Sequence, residues 1–174
     1  MTDKGLVRIE RLTAADVEPL YVLAREIWYA HYPAIVSTAQ IEYMLEQRYN
    51  AAVVQAELRR DDLWWDKLLV NDVMAGFGSY FLTGAPGEMK LDKLYVHPRH
   101  QRHGFGGRMI AQACEIARAR GCNRLTLAVN KNNQSAVNAY LKHGFRIADA
   151  VVKDIGQGFV MDDFIMEKPV MGDE

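Results

Sequence analysis

Several things that would announce a function are scarce or missing in this sequence. It has only two cysteines, Cys114 and Cys122, so neither a disulfide framework nor a metal site is expected, and both read as packed thiols of a reducing compartment. No apolar run approaches ~18 residues, and no basic start followed by an apolar stretch opens the chain, so neither a membrane span nor a secretory leader is expected. A cytoplasmic protein with no membrane partner follows. Charge of one sign is also lacking: 21 basic residues stand against 22 acidic ones, which argues against a nucleic-acid partner, because phosphate-backbone affinity needs a clear basic excess. There is no internal repeat, linker or low-complexity stretch. With 174 residues, 49% hydrophobic and 25% charged, the composition is that of one globular domain over residues 1–170 with a short tail at 171–174.

What is present concentrates after residue 93. An apolar strand through Leu94, Tyr95 and Val96 stops at Pro98, and Arg99, His100, Gln101, Arg102, His103, Gly104, Phe105, Gly106 and Gly107 follow. From there an amphipathic run continues to Gly121. Glycines let main-chain N–H groups approach phosphate oxygens without a Cβ in the way, and a helix N-terminus adds about half a positive charge at the same place. The combination reads as an anion cradle. A Walker loop is excluded, because Arg108 and Met109 stand where Lys and Ser or Thr are needed. A dinucleotide fingerprint is excluded too, because its third glycine position is Met109 and the strand ends several residues before Gly104.

What does fit is Gln/Arg-x-x-Gly-x-Gly/Ala, here Gln101, Arg102, His103, Gly104, Phe105 and Gly106. In this the chain resembles the GCN5-related N-acetyltransferase (GNAT) family. A second stretch is similar to the same family: a strand at 125–129, then Asn133, Ala136, Tyr140, Gly144 and Phe145 in order. The resemblance implies that residues 101–107 cradle the pyrophosphate of acetyl-CoA and that the main chain of Leu94, Tyr95 and Val96 binds the pantetheine arm as an added strand would; Arg102 either adds charge at the pyrophosphate or is a solvated surface arginine. It also implies a fold: an α/β domain whose mixed, mostly antiparallel central sheet is split near its middle, at the fourth and fifth strands, with helices on both faces. The specific letters lie between Leu94 and Phe145, while the order of elements fits along the whole chain.

Taken in order, residues 7–12 alternate as a short strand, and Thr13 with Asp16 forms a capping box before a helix whose apolar face is Val17, Leu20, Ala24, Ile27 and Trp28. Ser37 with Gln40 is a second box. The helical spacing it opens drifts near Asn50 and resumes at Val53, which predicts one bent helix or two short ones. Strands at 64–70, 75–82 and 88–96, joined across Asn71-Asp72 and 84–87, are expected to be antiparallel. The strand at 125–129, reached through the helix ending at Gly121, is expected parallel to 88–96. A hairpin of 145–152 and 159–168 closes the chain across Gly156, Gln157 and Gly158.

Acetyl transfer from a thioester to an amine needs a hold on the cofactor's anionic end, a proton for the leaving thiolate, and an amine that has lost its own. Tyr140 is the candidate donor by its place in the resemblance: at a pKa near ~10 a tyrosine stays protonated at neutral pH. The alternative is an aromatic that closes the helix–strand core. Deprotonating a lysine-like amine at pH 7 costs about 4.6 kcal/mol, so a carboxylate should help. Family members often carry a glutamate on the strand before the cradle, but Lys90 stands there; Asp92, two residues on and on the same strand face, is the candidate base through a water, or else a carboxylate paired with a lysine. Asn133 is either the cofactor contact that the resemblance implies or the N-cap of its helix. Trp28, His31, Tyr32 and Phe159 are expected either to wall the acceptor pocket, with Asp162 near it, or to belong to the core.

The implied function is direct acetyl transfer to a primary amine of a small molecule, polyamine or peptide. The substitution at Lys90 keeps open a non-catalytic acyl-CoA-binding module, and the same cradle keeps open a nucleotide binder. Homodimers are common in that family, but no interface is legible in these letters.

Overall fold

The computed structural model describes residues 5–171, so the expected tail lies, from residue 172 on, outside the described residues. The elements are β1 (Val7–Arg11), α1 (Val17–His31), α2 (Thr38–Tyr49), α3 (Ala51–Leu58), β2 (Leu63–Val70), β3 (Val73–Leu82), β4 (Glu88–Val96), α4 (Phe105–Ala119), β5 (Arg124–Asn130), α5 (Gln134–Lys142), β6 (Arg146–Gly156) and β7 (Phe159–Pro169). Hydrogen-bonded neighbours follow the order β1-β2-β3-β4-β5-β7-β6. The pairs β1·β2, β2·β3, β5·β7 and β6·β7 are antiparallel and β4·β5 is parallel. This is the mixed, mostly antiparallel α/β fold that the sequence leads one to expect. The parallel pair β4·β5 is bridged by a helix, because parallel neighbours need a crossover that a tight turn cannot supply.

The chain divides into two compact units, one made of residues 5–81 with Lys93–Ile110, the other of Leu82–Asp92 with residues 111–171. In the first, local chemistry sets the element ends. The Thr13 N–H donates to Asp16 Oδ2 (2.8 Å), and Lys67 Nζ on β2 lies 2.7 Å from the same oxygen. Partial burial pushes the Asp16 carboxyl up, but the Lys67 and Thr13 hydrogen bonds outweigh it and hold the group below the usual carboxylate range. Ser37 Oγ accepts the Gln40 N–H (3.1 Å). At Asn50 the side chain accepts the Val53 N–H (2.9 Å) and donates to Glu46 O (2.8 Å), so one residue stops α2 and starts α3. The expected bent helix is therefore two helices. Asn71 and Asp72 take φ of 51° and 67°, the left-handed pair that a two-residue hairpin turn demands.

Two cores fill this unit. One is aromatic: Trp28, Tyr49, Trp65 and Phe77 are buried and meet through ring pairs 5.6 to 6.2 Å apart. The other is aliphatic, with Leu68, Ala75 and Met109 at its centre and Leu94, Val96 and Phe105 packed on it. Burying each large side chain contributes about 1.5–3 kcal/mol, so the two clusters also fix the strands that carry them. A Cβ on Gly76 would lie 2.6 Å from the Tyr95 carbonyl oxygen. The glycine is what allows β3 to approach β4 this closely.

In the second unit, β4·β5 pairing runs from Glu88↔Arg124, braced by a 3.0 Å ion pair, to Lys90↔Thr126. The ladder ends there, although β4 continues to Val96 and β5 to Asn130. The closing hairpin turns through Gly156, Gln157 and Gly158, all with positive φ. Its strands are longer than their periodicity suggests: β6 starts at Arg146 rather than Phe145 and runs to Gly156 rather than Val152. Register shifts at 147/149 and 154/156 interrupt the alternation by which a strand is recognised.

Candidate functional site

The loop between β4 and α4 is built by tethers at its base. The His97 side chain accepts the Arg99 N–H (3.2 Å), which winds Pro98–His100 into a single 3-10 turn absent from the sequence expectation. Gln101 Nε2 donates to Val96 O (3.0 Å), so its side chain fastens the loop to the strand end. His97 Nε2 lies 3.4 Å from Glu26 Oε2 on α1. Above these anchors the main chain is forced: Arg102 and Gly104 have φ of 67° and 79°. An arginine tolerates that region only at a cost, and at Gly104 it is met by the absence of a Cβ.

Residues 101–104 are exposed, and a Cβ built on Gly104 or on Gly106 would meet nothing within 4 Å. The protein's own packing does not demand glycine at 106; a ligand lying against the main chain would. The first intrahelical donor of α4 is the Arg108 N–H, to Gly104 O (3.2 Å), which leaves the N–H groups before it with no acceptor in the helix. Residues 99–108 hold Arg99, Arg102 and Arg108 and no acid. Burial, then His97, His103 and Arg99, push the His100 imidazole below its ordinary pKa, so it borders the loop as a neutral ring at pH 7. His103 stacks on Phe105 at 5.7 Å. The donor set, its charge and its open face all fit a diphosphate.

Trp28, His31 and Tyr32, three of the expected acceptor residues, come together at the end of α1. Tyr32 lies 4.4 Å from Trp28 and 5.0 Å from His31 between ring centroids. The Tyr95 ring joins them, 5.9 Å from Trp28, and the Tyr32 and Tyr95 hydroxyls are 3.0 Å apart. Sequence reasoning assigned Tyr95 only a main-chain role, yet its side chain is part of this wall. Behind the wall Lys93 is 4% exposed, its amino group 4.9 Å from the Trp65 ring and 5.8 Å from that of Tyr49. The signal was legible: Met89, Leu91, Lys93 and Tyr95 share one strand face, of which the first two are apolar and buried. Two aromatic faces favour a cation where water cannot. Arg25 to Glu42 (3.0 Å) and the Tyr29 hydroxyl to Glu42 tie α1 to α2 and so hold the wall's backing.

The second unit carries Asp92, Asn133, Tyr140 and Phe159. Asp92 is half-buried between two buried neighbours, Leu91 and Lys93. Asn133 occupies the N-cap position of α5, but its side chain makes no capping bond, and it is 6% exposed. Tyr140 is half-buried, its ring 5.5 Å from buried Phe145; the Phe145 N–H donates to Tyr140 O (3.0 Å), which fixes the helix end. Phe159 opens β7 opposite Gly156. Both cysteines are buried and unbonded to each other, and burial pushes both thiols up, so neither is a ready nucleophile. No helix among the described residues is long and apolar enough to cross a membrane.

Comparison with known proteins bears on these features. The family model of the acetyltransferase (GNAT) family matches residues 18–145. A spermidine N(1)-acetyltransferase of Thermoplasma acidophilum is 27% identical over 166 residues, 93% of this chain and 96% of that protein. A thialysine N-epsilon-acetyltransferase of Sus scrofa is 33% identical over 76 residues, which cover 42% of this chain and 45% of that one. The crystal structure of PaiA N-acetyltransferase from Thermoplasma acidophilum in complex with coenzyme A superposes with a TM-score of 0.83, at 26% identity, over 94% of this chain and 99% of that chain.

Proposed function

Since this chain belongs to the acetyltransferase (GNAT) family and is an acetyl-CoA-dependent N-acetyltransferase, we propose that its acceptor is the primary amine of a small cationic molecule of the polyamine class, acetylated directly within a single domain spanning residues 1–170. The observation that carries this reading is the pair of half-buried rings Tyr32 and Tyr95, backed by the buried Trp28. π faces hold an alkylammonium chain without fixing its length, which suits a flexible amine better than a peptide with its own polar main chain. The full-length likeness to a protein named for spermidine points the same way.

When bound, acetyl-CoA supplies the activated acyl group and a thiolate leaving group. The main-chain N–H groups of residues 103–107 hold the diphosphate, with Arg102 adding charge at the rim. The strand residues Leu94, Tyr95 and Val96 orient the pantetheine arm through main-chain groups, and Asn133 contacts the cofactor. Asp92, through a water, takes the proton that the acceptor ammonium must lose before its nitrogen attacks. The Tyr140 hydroxyl then gives a proton to the departing sulfur and regains one that the attacking nitrogen sheds through water, so C–N forms as C–S breaks and no acyl group rests on the protein.

Free-thiol release from acetyl-CoA, measured against spermidine, thialysine and a short peptide amine, tests the proposal. Spermidine should turn over fastest, and Tyr140→Phe should lower kcat by ~10²-fold with acetyl-CoA affinity unchanged. A preference for the peptide amine would replace the acceptor class. An unchanged kcat in Tyr140→Phe would remove that residue from the chemistry.

A further inference from the structure

The turn that launches the cradle loop hangs on one side chain. Pro98 has no N–H, so the first donor that the Pro98–His100 turn must satisfy is the Arg99 N–H, and the lone pair on His97 Nδ1 takes it (3.2 Å). The main chain of His97 is fixed at both of its polar groups: the N–H donates to Ala75 O on β3 (2.8 Å), and the carbonyl accepts the His100 N–H (2.8 Å). The loop leaves directly from this turn. The Gln101 N–H donates to Pro98 O (3.4 Å), and the left-handed residues Arg102 and Gly104 come next.

The ring is held from its other side by α1. Glu26 Oε2 lies 3.4 Å from His97 Nε2, and the His97 side chain is only 19% exposed. A carboxylate beside Nε2 keeps the single proton of the neutral ring there, which leaves Nδ1 free to accept. Protonation removes that lone pair. The imidazolium keeps Glu26, to which its charge binds it more firmly, and aims an N–H at the Arg99 N–H, donor against donor at the head of the turn. The ring stays and the turn gives way.

We infer that His97 is a positioning residue for acetyl-CoA: its unprotonated Nδ1 holds the turn that aims the main-chain donors of residues 103–107, and protonation of the ring releases that turn. The inference rests on those residues being the cradle of the diphosphate. The Arg99 bond is present above the pH at which the ring titrates and is lost below it, so in acid the cost of ordering the loop falls on binding. The charged and titratable groups around the ring are Glu26 on α1, Arg99 and His100 in the turn and His103 in the loop. His100 and His103 gain charge in acid, which tightens the hold on a diphosphate, an effect opposite in sign to the release at His97.

Calorimetric titration of the parent chain, His97→Asn and His97→Leu with acetyl-CoA tests the inference, at about pH 5.5 and about pH 8, on either side of the range in which an imidazole changes charge. An asparagine carbonyl accepts the N–H two residues on and does not titrate; a leucine accepts nothing. At the higher pH His97→Asn should bind like the parent, and His97→Leu about fivefold more weakly, matching the loss of one net hydrogen bond. At the lower pH the parent should fall at least about fivefold below His97→Asn, while the ratio of His97→Leu to His97→Asn stays the same. Ratios taken at one pH cancel the titration of the ligand's own phosphates and of His100 and His103, which all three proteins share. A ratio of parent to His97→Asn that does not change with pH overturns the inference, whether or not the leucine variant folds. So does a folded His97→Leu that binds as tightly as the parent at the higher pH. Binding by none of the three at either pH would overturn the cradle itself, and the inference with it.

Discussion

On the proposed function, the loop at 101–107 and the aromatic wall at Tyr32 and Tyr95, backed by Trp28, recognise their ligands by opposite means. The loop is exposed, carries two left-handed residues, and offers main-chain donors over a surface without Cβ atoms. The wall is made of side chains packed ring to ring, and its main chain is ordinary helix and strand. A diphosphate is the same in every acetyl-CoA, so its site can be fixed in backbone geometry and tolerate changes of side chain elsewhere in the loop. An acceptor differs from one relative to the next, and its site is written in rings that single substitutions alter. The two sites should therefore fail separately.

The larger of the expected failures is in the loop. Gly104→Val places a branched Cβ at φ 79° and on the open face, so acetyl-CoA binding should weaken by about 10²-fold, or about 2.7 kcal/mol, with the acceptor KM little changed. Steady-state kinetics with each substrate varied in turn measures both. A shift in the acceptor KM alone would mean that the loop does not separate from the wall. A smaller effect is expected at the wall. Tyr32→Phe removes one partner of the hydroxyl pair with Tyr95 but keeps the ring, so the acceptor KM should rise about fivefold, matching a net hydrogen-bond contribution of about 1 kcal/mol, with acetyl-CoA binding unchanged. Loss of acetyl-CoA binding in that variant would erase the distinction from the other side.

Much of the fold was legible because local signals agreed with the tertiary result. Thr13 with Asp16, Ser37 with Gln40, Asn71-Asp72 and Gly121 all sit where caps and turns form, and the helix between β4 and β5 made a parallel pair the expectation. Asn50 was ambiguous because a mid-pattern asparagine reads equally as a bend or as a stop, and only its bonds to Glu46 and Val53 decide. Lys93 was hidden by its charge, although strand alternation places it inward. The Gln101 tether to Val96 and the turn at Pro98–His100 depend on side chains folding back on the backbone, which no spacing rule records. The letters of the loop raise the expectation of an anion site; the ring cluster of Trp28, Tyr32 and Tyr95, assembled from α1 and β4, is non-local, and the letters point only to its first half.

The most direct measurement of the central claim is calorimetric titration of the protein with acetyl-CoA and with S-acetylpantetheine, which carries the same thioester and arm but no diphosphate. If main-chain donors at the start of α4 hold the diphosphate, S-acetylpantetheine should bind at least about 10²-fold more weakly, and Gly104→Val should bring acetyl-CoA down toward it. Equal affinity for the two ligands would contradict the account.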